Sequence, residues 1–344
     1  MQKVCLCYKT MKKQIDWDAL GFHYTETDFI IRADYKDGQW SKPIATAEKY
    51  IPLHVAATVL NYGQEAFEGV KAIRGVDNKI RIFRMHDHAL RLQSSAKAIA
   101  MPPVPTELFC ECIELALQKN IDFVPPHDSL ASLYFRPLLF GTSPRLGVGP
   151  GDEYSFVIFA SPIGNYFKGG FHPTTFVINR HVDRAATLGV GAYKVGGNYA
   201  AGFRATQETH QQGYGCLFTD ALTHQYIDEC EAANFLAIKG NQYLTPDSHS
   251  ILPSVTNKSL MQLAQDMGLE VKCTPILVTD LATMDEAAAC GTATIIAPIG
   301  TIIDPDHNLT YSFAKHTVCE QLYHDLLAIQ HGEKEDKHGW CTIV

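Results

Sequence analysis

The segment from Gly191 to Arg204, which reads GAYKVGGNYAAGFR, decides the fold. It places Lys194 in a glycine-rich turn flanked by tyrosines, and the residues after the turn are compatible with a helix. Small residues let a flat ligand approach the backbone, and a lysine becomes nucleophilic at neutral pH when burial or cations lower its pKa. A solvated lysine beside an ordinary loop is the competing interpretation. The segment makes Lys194 a candidate covalent catalyst.

Two nucleotide-binding motifs are excluded by the order of these residues. A Walker phosphate loop needs its lysine after the glycines, whereas Lys194 precedes Gly196 and Gly197. The dinucleotide fingerprint is also missing from the chain. The ligand is therefore expected to be of another chemical class.

Composition indicates a globular protein that acts on small molecules. The chain has 344 residues, of which 46% are hydrophobic and 19% charged, so it is long enough for two domains with substantial cores. Its net charge of -8 and the lack of a basic cluster argue against nucleic acid as a partner.

A cytoplasmic location is expected, without membrane insertion. The first residues lack a signal-peptide pattern, and the longest apolar runs, 156–160 and 295–299, have only the length of strands. The ten cysteines include no Cys-x-x-Cys pair, so we interpret them as reduced thiols.

Strands and helices of mixed order predict an α+β fold of two domains. Periodicity breaks at 162–170, which indicates an N-terminal domain over 1–163, an interdomain loop over 164–173 and a C-terminal domain over 174–344. In the first half the pattern predicts hairpins and two helices, one capped by Asp87 and one starting at Thr106. In the second half it predicts one helix from about Asn257 to Gly268 and another over 281–289.

Three further segments carry groups that could surround Lys194. Asp228, Glu229 and Glu231 lie between two apolar strands, where unpaired acids are costly. The proline-marked turn at 251–256 feeds a helix and leaves free N–H groups for an anion, and the segment 290–294 adds hydroxyls beside a glycine. Each feature alone is also explained by a turn or a cap. Together they match the needs of pyridoxal phosphate: a lysine, a carboxylate for the ring nitrogen and a phosphate cup.

The order of these motifs resembles the branched-chain amino acid aminotransferases, which are fold-type IV pyridoxal phosphate enzymes. The similarity extends from about Gly21 to Pro298. It rests most strongly on the Tyr-Lys-x-Gly-Gly-Asn-Tyr block at 193–199 and the Tyr-x-Arg-Pro block at 134–137, and also on 83–91, 228–229, 251–254 and 291–293. The resemblance implies a smaller N-terminal α/β domain and a larger C-terminal domain with a barrel-like mixed sheet.

The resemblance also implies a cofactor role for seven residues. Lys194 would form the imine with the cofactor aldehyde, Glu229 would pair with the pyridine nitrogen, and Tyr199 would bond the ring oxygen. The phosphate would be held by Arg91, the backbone of Val255 and Thr256, and the hydroxyl of Thr292. Arginine suits this task because its planar fork matches phosphate oxygens.

On the substrate side, the resemblance implies an apolar pocket with one anionic anchor. Arg136 would receive the distal carboxylate of glutamate, and Ala293 with Thr292 would offer N–H groups to the α-carboxylate. Leu146 and Val148 would reach into the pocket of a second subunit, which implies a homodimer. The pocket walls would be Phe22, Tyr62, Phe67 and Tyr134; core packing is the competing interpretation for these aromatics.

The expected reaction is the reversible transfer of the amino group of L-leucine, L-isoleucine or L-valine to 2-oxoglutarate. A D-amino acid aminotransferase or an aminodeoxychorismate lyase could use the same lysine and glutamate, and a non-catalytic metabolite-binding relative is an answer of another class. A metal site at 86–88 is disfavoured, since residues two apart at a helix start diverge. Two departures from the family are Glu231-Ala232, where some members carry a threonine at the second position, and Thr294 with Ala297, where mammalian members carry a Cys-x-x-Cys switch.

Overall fold

The computed structural model describes residues 15–129, 131–164 and 171–344. In this part of the chain the α-helices are α1 (Thr58–Tyr62), α2 (Met85–Ala98), α3 (Thr106–Lys119), α4 (Gly196–His210), α5 (Val255–Asp266) and α6 (Thr317–His331). The strands are β1 (Ile30–Lys36), β2 (Gln39–Trp40), β3 (Ile44–Thr46), β4 (Glu65–Phe67), β5 (Val70–Arg74), β6 (Ile80–Phe83), β7 (Ser132–Gly141), β8 (Tyr154–Ile163), β9 (Thr174–Asn179), β10 (Gly215–Thr219), β11 (Ile227–Cys230), β12 (Ala233–Lys239), β13 (Gln242–Thr245), β14 (Glu270–Cys273), β15 (Glu286–Gly291), β16 (Ile295–Asp304), β17 (Leu309–Ser312) and β18 (Cys341–Ile343).

The first half of the chain forms an antiparallel sheet in the order β18-β6-β5-β7-β8-β1-β2, with β3 on β1 and β4 on β7. Helices α2 and α3 cover one face, where Leu92, Phe109 and Ile113 are buried against Phe135 and Phe156. The helical periodicity of α3 thus places its apolar stripe in the core, as the sequence predicts. The C-terminal strand β18 returns to this sheet and pairs with β6.

The second half is built around a barrel. Strands β11, β10, β9, β16, β15 and β12 follow one another in the sheet, and a further pairing between β11 and β12 closes them into a ring of six. Helices α5 and α6 pack on its outside through Leu260, Leu263, Leu322 and Leu326. The α+β fold with a barrel-like second unit is confirmed. The division at 164–173 stays a prediction, since residues 165–170 lie outside the described part.

The predicted helix over 281–289 is wrong. A short 3-10 helix over Val278–Thr283 is followed by strand β15, which pairs with β12 and β16. The run Ala287 to Ala289 is fully buried in the barrel, so pairing on both sides overrides the helix propensity of alanine. This strand delivers the turn 292–294 to the site.

One smaller expectation also needs correction. Helix α2 begins at Met85, and its N-cap is Arg84 in the left-handed region at φ 49°, so Asp87 lies in the first turn and is not the cap. The Asp87 carboxylate accepts from Arg84 and from Lys258 at 2.9 Å. Asp228, like Glu229, lies on β11. No helix in the described ranges is long and apolar enough to cross a membrane.

Candidate active site

Lys194 is held where the first sheet meets the start of α4. The Phe67 N–H donates to the Lys194 carbonyl at 3.0 Å, and Ala66 forms an antiparallel bridge with Val195. The Lys194 N–H donates to the Ser95 hydroxyl of α2 at 2.9 Å. Because Val195 is extended and buried, the chain makes a strand-like contact before it turns into the helix. The backbone of the lysine is therefore fixed by β4 and α2.

The amine of Lys194 lies among aromatic groups. Its Nζ donates to the hydroxyl of Tyr199 at 2.9 Å, and it stands 4.7 Å from the Phe67 ring centre and 5.2 Å from that of Tyr199. The rings of Phe67 and Tyr199 are in turn 5.0 Å apart. The amine of Lys194 and the phenol hydroxyl of Tyr199 thus share one hydrogen bond. Side by side, they can contact two neighbouring positions of one flat ligand, such as a carbonyl group and an adjacent oxygen.

Glu229 projects from β11 as a fully buried carboxylate. Its Oε1 accepts from the Leu252 N–H and, at 3.5 Å, from the Asn234 amide. Its Oε2 lies 3.6 Å from Arg184 Nη1. Burial raises the pKa of Glu229 to about 7, although Arg184, the Leu252 N–H and the positive Lys194 act in the opposite direction. Lys194 is therefore close enough to Glu229 to act on it electrostatically.

Arg184 is a buried residue that sequence reasoning missed. Its Nη2 donates to the Ser250 carbonyl, and the Ser250 hydroxyl donates to Asp228, the neighbour of Glu229. Arg184 is 7% exposed, and its Nε has no hydrogen-bond partner in the described chain. The signal available in the sequence was electrostatic: adjacent buried acids at 228 and 229 need a cation.

At the other end of the site, Arg91 is held by an acid that sequence reasoning also missed. Arg91 Nε and Nη2 donate to the two oxygens of Glu68 at 2.7 and 2.9 Å. His88, one turn earlier on α2, contacts Glu68 Oε2 at 2.7 Å. This pairing, above all with Arg91, outweighs burial and holds the pKa of Glu68 well below its usual range. An acid between apolar Ala66 and Val70 was the signal that a cation had to be near.

The predicted phosphate cup lies next to Arg91. Arg91 Nη1 donates to the Pro253 carbonyl at 3.1 Å, which fixes the guanidinium beside the start of α5. The Ser254 hydroxyl caps the helix by accepting from the Asn257 N–H at 3.1 Å. The N–H groups of Val255 and Thr256, in the first turn, lack intrahelical acceptors. Since an arginine has five N–H donors and these bonds use three, Arg91 retains donors for an anion.

Thr292 and Ala293 lie in the turn between β15 and β16. Lys71 of β5 donates from Nζ to the Ala293 carbonyl at 2.9 Å, so this turn of the barrel rests on the first sheet. Burial lowers the pKa of Lys71 to about 8. The buried hydroxyl of Thr294 has no partner in the described residues.

The predicted pocket walls come together on one face of the first sheet. Phe22 packs edge-on against Tyr134 at 5.5 Å. The guanidinium of Arg136 lies 4.8 Å from the Phe67 ring and 5.6 Å from that of Tyr134. Tyr62 stands at the rim, where its hydroxyl donates to the Leu146 carbonyl. Phe67 and Tyr134 therefore flank Arg136, Phe22 packs on Tyr134, and Tyr62 stays at the rim.

Three further residues lie away from this centre. The side chains of Leu146 and Val148 are 93% and 90% exposed and do not enter the pocket of their own chain. Glu231, the third acid of the segment 228–231, pairs with His210 at 2.7 Å. Glu231 is thus engaged elsewhere, and Glu229 is the acid on which the charge of Lys194 acts.

Together these groups fit pyridoxal phosphate. An amine and a phenol lie at one position, a buried acid without a full counter-charge at a second, and an arginine with unpaired helical N–H groups at a third. That donor set matches the aldehyde and ring oxygen, the ring nitrogen and the phosphate of this cofactor. The arrangement would orient the ring between Glu229 and Tyr199.

Comparisons with known proteins find similar aminotransferases. Residues 65–302 match the family model described as amino-transferase class IV. The chain is 44% identical over 337 residues to a branched-chain-amino-acid aminotransferase of Helicobacter pylori, covering 96% of this chain and 98% of the relative. It is 40% identical to the enzyme of the same name from Haemophilus influenzae, covering 96% and 99%.

Solved structures have the same fold. The crystal structure of the Escherichia coli branched-chain amino acid aminotransferase superposes with a TM-score of 0.76 at 25% identity, covering 92% of this chain and 99% of that one. The branched-chain amino acid aminotransferase of Thermobaculum terrenum in its PLP form gives a TM-score of 0.76 at 21% identity, covering 92% and 98%.

Proposed function

Because the chain belongs to the class IV aminotransferases, which use pyridoxal phosphate, we propose that it moves the amino group of L-leucine, L-isoleucine or L-valine to 2-oxoglutarate. The products are the branched-chain 2-oxo acid and L-glutamate. The observation that carries this proposal is the hydrogen bond between Lys194 and Tyr199 at a point from which the charge of Lys194 acts on the buried acid Glu229. The names of the relatives from Helicobacter pylori and Haemophilus influenzae support the choice of amino acid.

The cofactor and the chain divide the chemistry between them. When bound, pyridoxal phosphate supplies an aldehyde and a ring that accepts the electrons left on the substrate α-carbon. Lys194 would hold the aldehyde through Nζ in the resting enzyme. Once the substrate amine has taken its place, the freed Nζ would accept the α-proton and later give it up again, so that Lys194 serves as both anchor and proton shuttle.

The other residues hold charge and orientation. Glu229 keeps a proton on the ring nitrogen, because a buried carboxylate is most stable beside a cation. Tyr199 bonds the ring oxygen next to the aldehyde, while Arg91 and the N–H groups of Val255 and Thr256 fix the phosphate. Substitution of Glu229 or Arg91 tests these roles separately.

The substrate pocket follows from the group of aromatics. Phe22, Tyr62, Phe67 and Tyr134 give apolar contact to a branched side chain, and Arg136 gives one cation for the distal carboxylate of glutamate. The α-carboxylate goes to the N–H groups of Thr292 and Ala293, in the turn that Lys71 supports. Both kinds of substrate are thus accepted by one pocket.

We also propose a homodimer in the cytoplasm. Leu146 and Val148 expose two large apolar side chains in the loop whose Leu146 carbonyl bonds Tyr62 at the rim of the pocket, and a partner subunit covering them would complete both pockets. The cysteines in the described residues are free thiols, which suits a reducing compartment. Light scattering of wild type and of Leu146→Glu tests the dimer, and cell fractionation tests the location; a monomeric wild type would contradict the first proposal.

One experiment tests the reaction itself. Purified protein with pyridoxal phosphate is expected to absorb visible light, to change its spectrum on addition of L-leucine, and to regain it with 2-oxoglutarate. D-alanine in place of L-leucine separates this activity from that of a D-amino acid aminotransferase. A spectrum that no amino acid alters would favour a non-catalytic binding protein, and pyruvate release from aminodeoxychorismate would favour a lyase.

A further inference from the structure

Glu65 is a half-buried acid in the pocket to which the proposed reaction gives no task. It lies on β4 opposite Phe140 of β7, and Phe67 lies opposite Leu138. Since side chains alternate along a strand, Glu65 and Phe67 share a face, as do Arg136 and Leu138 on β7. The guanidinium of Arg136 rests on Phe67. Glu65 is therefore on the same face of the sheet as the proposed anchor for a distal carboxylate.

The carboxylate of Glu65 is fixed at the start of α4. It accepts the N–H of Gly196, and a Cβ at position 196 would lie 1.7 Å from Glu65 Oε1, so only glycine allows this approach. A negative charge is favourable at a helix N-terminus. Lys194 is two residues away and is bonded to β4 through Phe67. The position of the charge relative to the reacting amine is thus set by backbone contacts.

Arg136, by contrast, is weakly engaged. Its one side-chain hydrogen bond among the described residues, to the Tyr134 hydroxyl, is 3.4 Å long, and its Nε is buried without a partner in the same part of the chain. Burial raises the pKa of Glu65, whereas the Gly196 N–H and the charge of Arg136 lower it. The two side chains therefore influence each other through space without forming a close ion pair.

We propose that Glu65 is a specificity-determining residue that balances the charge of Arg136 between the two half-reactions. This inference rests on the proposed function, in which Arg136 receives the distal carboxylate of glutamate. While an apolar side chain fills the pocket, Glu65 compensates the otherwise unpaired cation. A second carboxylate that enters must compete with Glu65 for the charge of Arg136, which weakens dicarboxylate binding and keeps the pocket usable by branched-chain substrates.

The test compares two ligands of similar size in wild type and Glu65→Gln. Glutamine keeps an oxygen for the Gly196 N–H but removes the charge. The dissociation constant of glutarate, measured on the cofactor-loaded enzyme by its absorbance, is expected to fall about five- to tenfold, and that of 4-methylpentanoate to change less than about twofold. The Michaelis constant for the substrate 2-oxoglutarate should fall in the same way, while the constant for 4-methyl-2-oxopentanoate should not.

A double-variant cycle separates charge balance from a structural effect. In an Arg136→Gln background the Glu65→Gln substitution should no longer alter glutarate binding, because the cation through which it acts is gone. Equal changes for glutarate and 4-methylpentanoate, or an unchanged effect in the Arg136→Gln background, would overturn the inference. Glu65→Ala is the matched control: it loses the bond to Gly196 as well, so kcat should fall with both substrate classes.

Wild-type enzyme measured alongside separates failure of the proposed function from failure of the role of Glu65. If wild type does not transaminate L-leucine with 2-oxoglutarate, the proposed function fails and this inference fails with it. If wild type does so and Glu65→Gln treats both ligands alike, the inference alone is wrong.

Discussion

Glu68 and Glu229 are both buried carboxylates within the site, yet their environments give them opposite behaviour. Glu68 receives two bonds from Arg91 and one contact from His88, all within 2.9 Å, and its pKa lies far below the usual range. Glu229 has an arginine only at 3.6 Å and a neighbouring acid, and its pKa is raised to about 7. The charge of Glu68 is therefore compensated within the fold, whereas Glu229 lacks a close cation among the described residues and can accept one from a ligand.

The largest expected effect is the loss of turnover in Glu229→Gln. Glutamine can accept the Leu252 N–H but cannot keep a proton on a ring nitrogen, so kcat for L-leucine with 2-oxoglutarate should fall about 10²- to 10³-fold. Stopped-flow measurement of each half-reaction checks this. A rate near that of wild type would mean that the cation expected beside Glu229 is not part of the chemistry.

Glu68→Gln should show its main effect in stability. Removing one partner of a buried ion pair leaves the other uncompensated, so the free energy of unfolding should drop by about 3 kcal/mol. Urea unfolding of the cofactor-free protein measures it, and Glu229→Gln is the matched control with a smaller expected loss. Equal destabilisation of the two variants would contradict the conclusion that only Glu68 has its charge compensated by a close ion pair.

The pH dependence of stability should have opposite signs at the two acids. Because the pKa of Glu229 is raised from 4.5 to about 7, its contribution is present below pH 4.5 and lost as pH rises to 7. The wild-type protein should therefore lose up to about 3 kcal/mol relative to Glu229→Gln over this window. Glu68 has a lowered pKa, so its contribution is present above pH 4.5 and lost on further acidification. Unfolding curves of the cofactor-free protein at several pH values measure both dependences. The same dependence of stability on pH in Glu229→Gln and Glu68→Gln would contradict the prediction.

The smallest effect is expected for Arg91→Lys. Lysine keeps the charge but cannot make the paired bonds to Glu68 while facing a phosphate, so the affinity for pyridoxal phosphate should weaken about tenfold. Equilibrium dialysis gives the dissociation constant, and Lys258→Arg on the exposed side of α5 serves as a control. Unchanged affinity for pyridoxal phosphate would show that Arg91 pairs with Glu68 and does not bind the phosphate.

The sequence predicted the parts of the fold whose signals are local. The stripe of Phe109, Ile113 and Leu117 defined α3, and the turn at Asp37-Gly38 defined the first hairpin. The strand β15 was missed because its alanines favour a helix until β12 and β16 pair with it. Pairing between distant segments of the chain cannot be read from a window of residues.

The same limit applies to the site. Lys194 was found through its glycine-rich motif, and Tyr199 and Glu229 through the resemblance to a known family; Lys194 is hydrogen-bonded to Tyr199, and its charge acts on Glu229. Arg184 and Glu68 were missed because their importance arises from contacts with residues far along the chain. An acid inside an apolar stretch of sequence indicates that a cationic partner exists, but only the fold shows which residue that partner is. The roles assigned to the site residues stay predictions.

The central claim is that Lys194 is the residue that reacts with the cofactor aldehyde, and borohydride reduction followed by peptide mapping tests it most directly. The chain offers a rival in Lys71, a second lysine facing the site, whose pKa is lowered to about 8. The expected result is a pyridoxyl group on the peptide that contains Lys194, and none on that of Lys71. A pyridoxyl group on Lys71 or any other lysine, with Lys194 unmodified, would contradict the account.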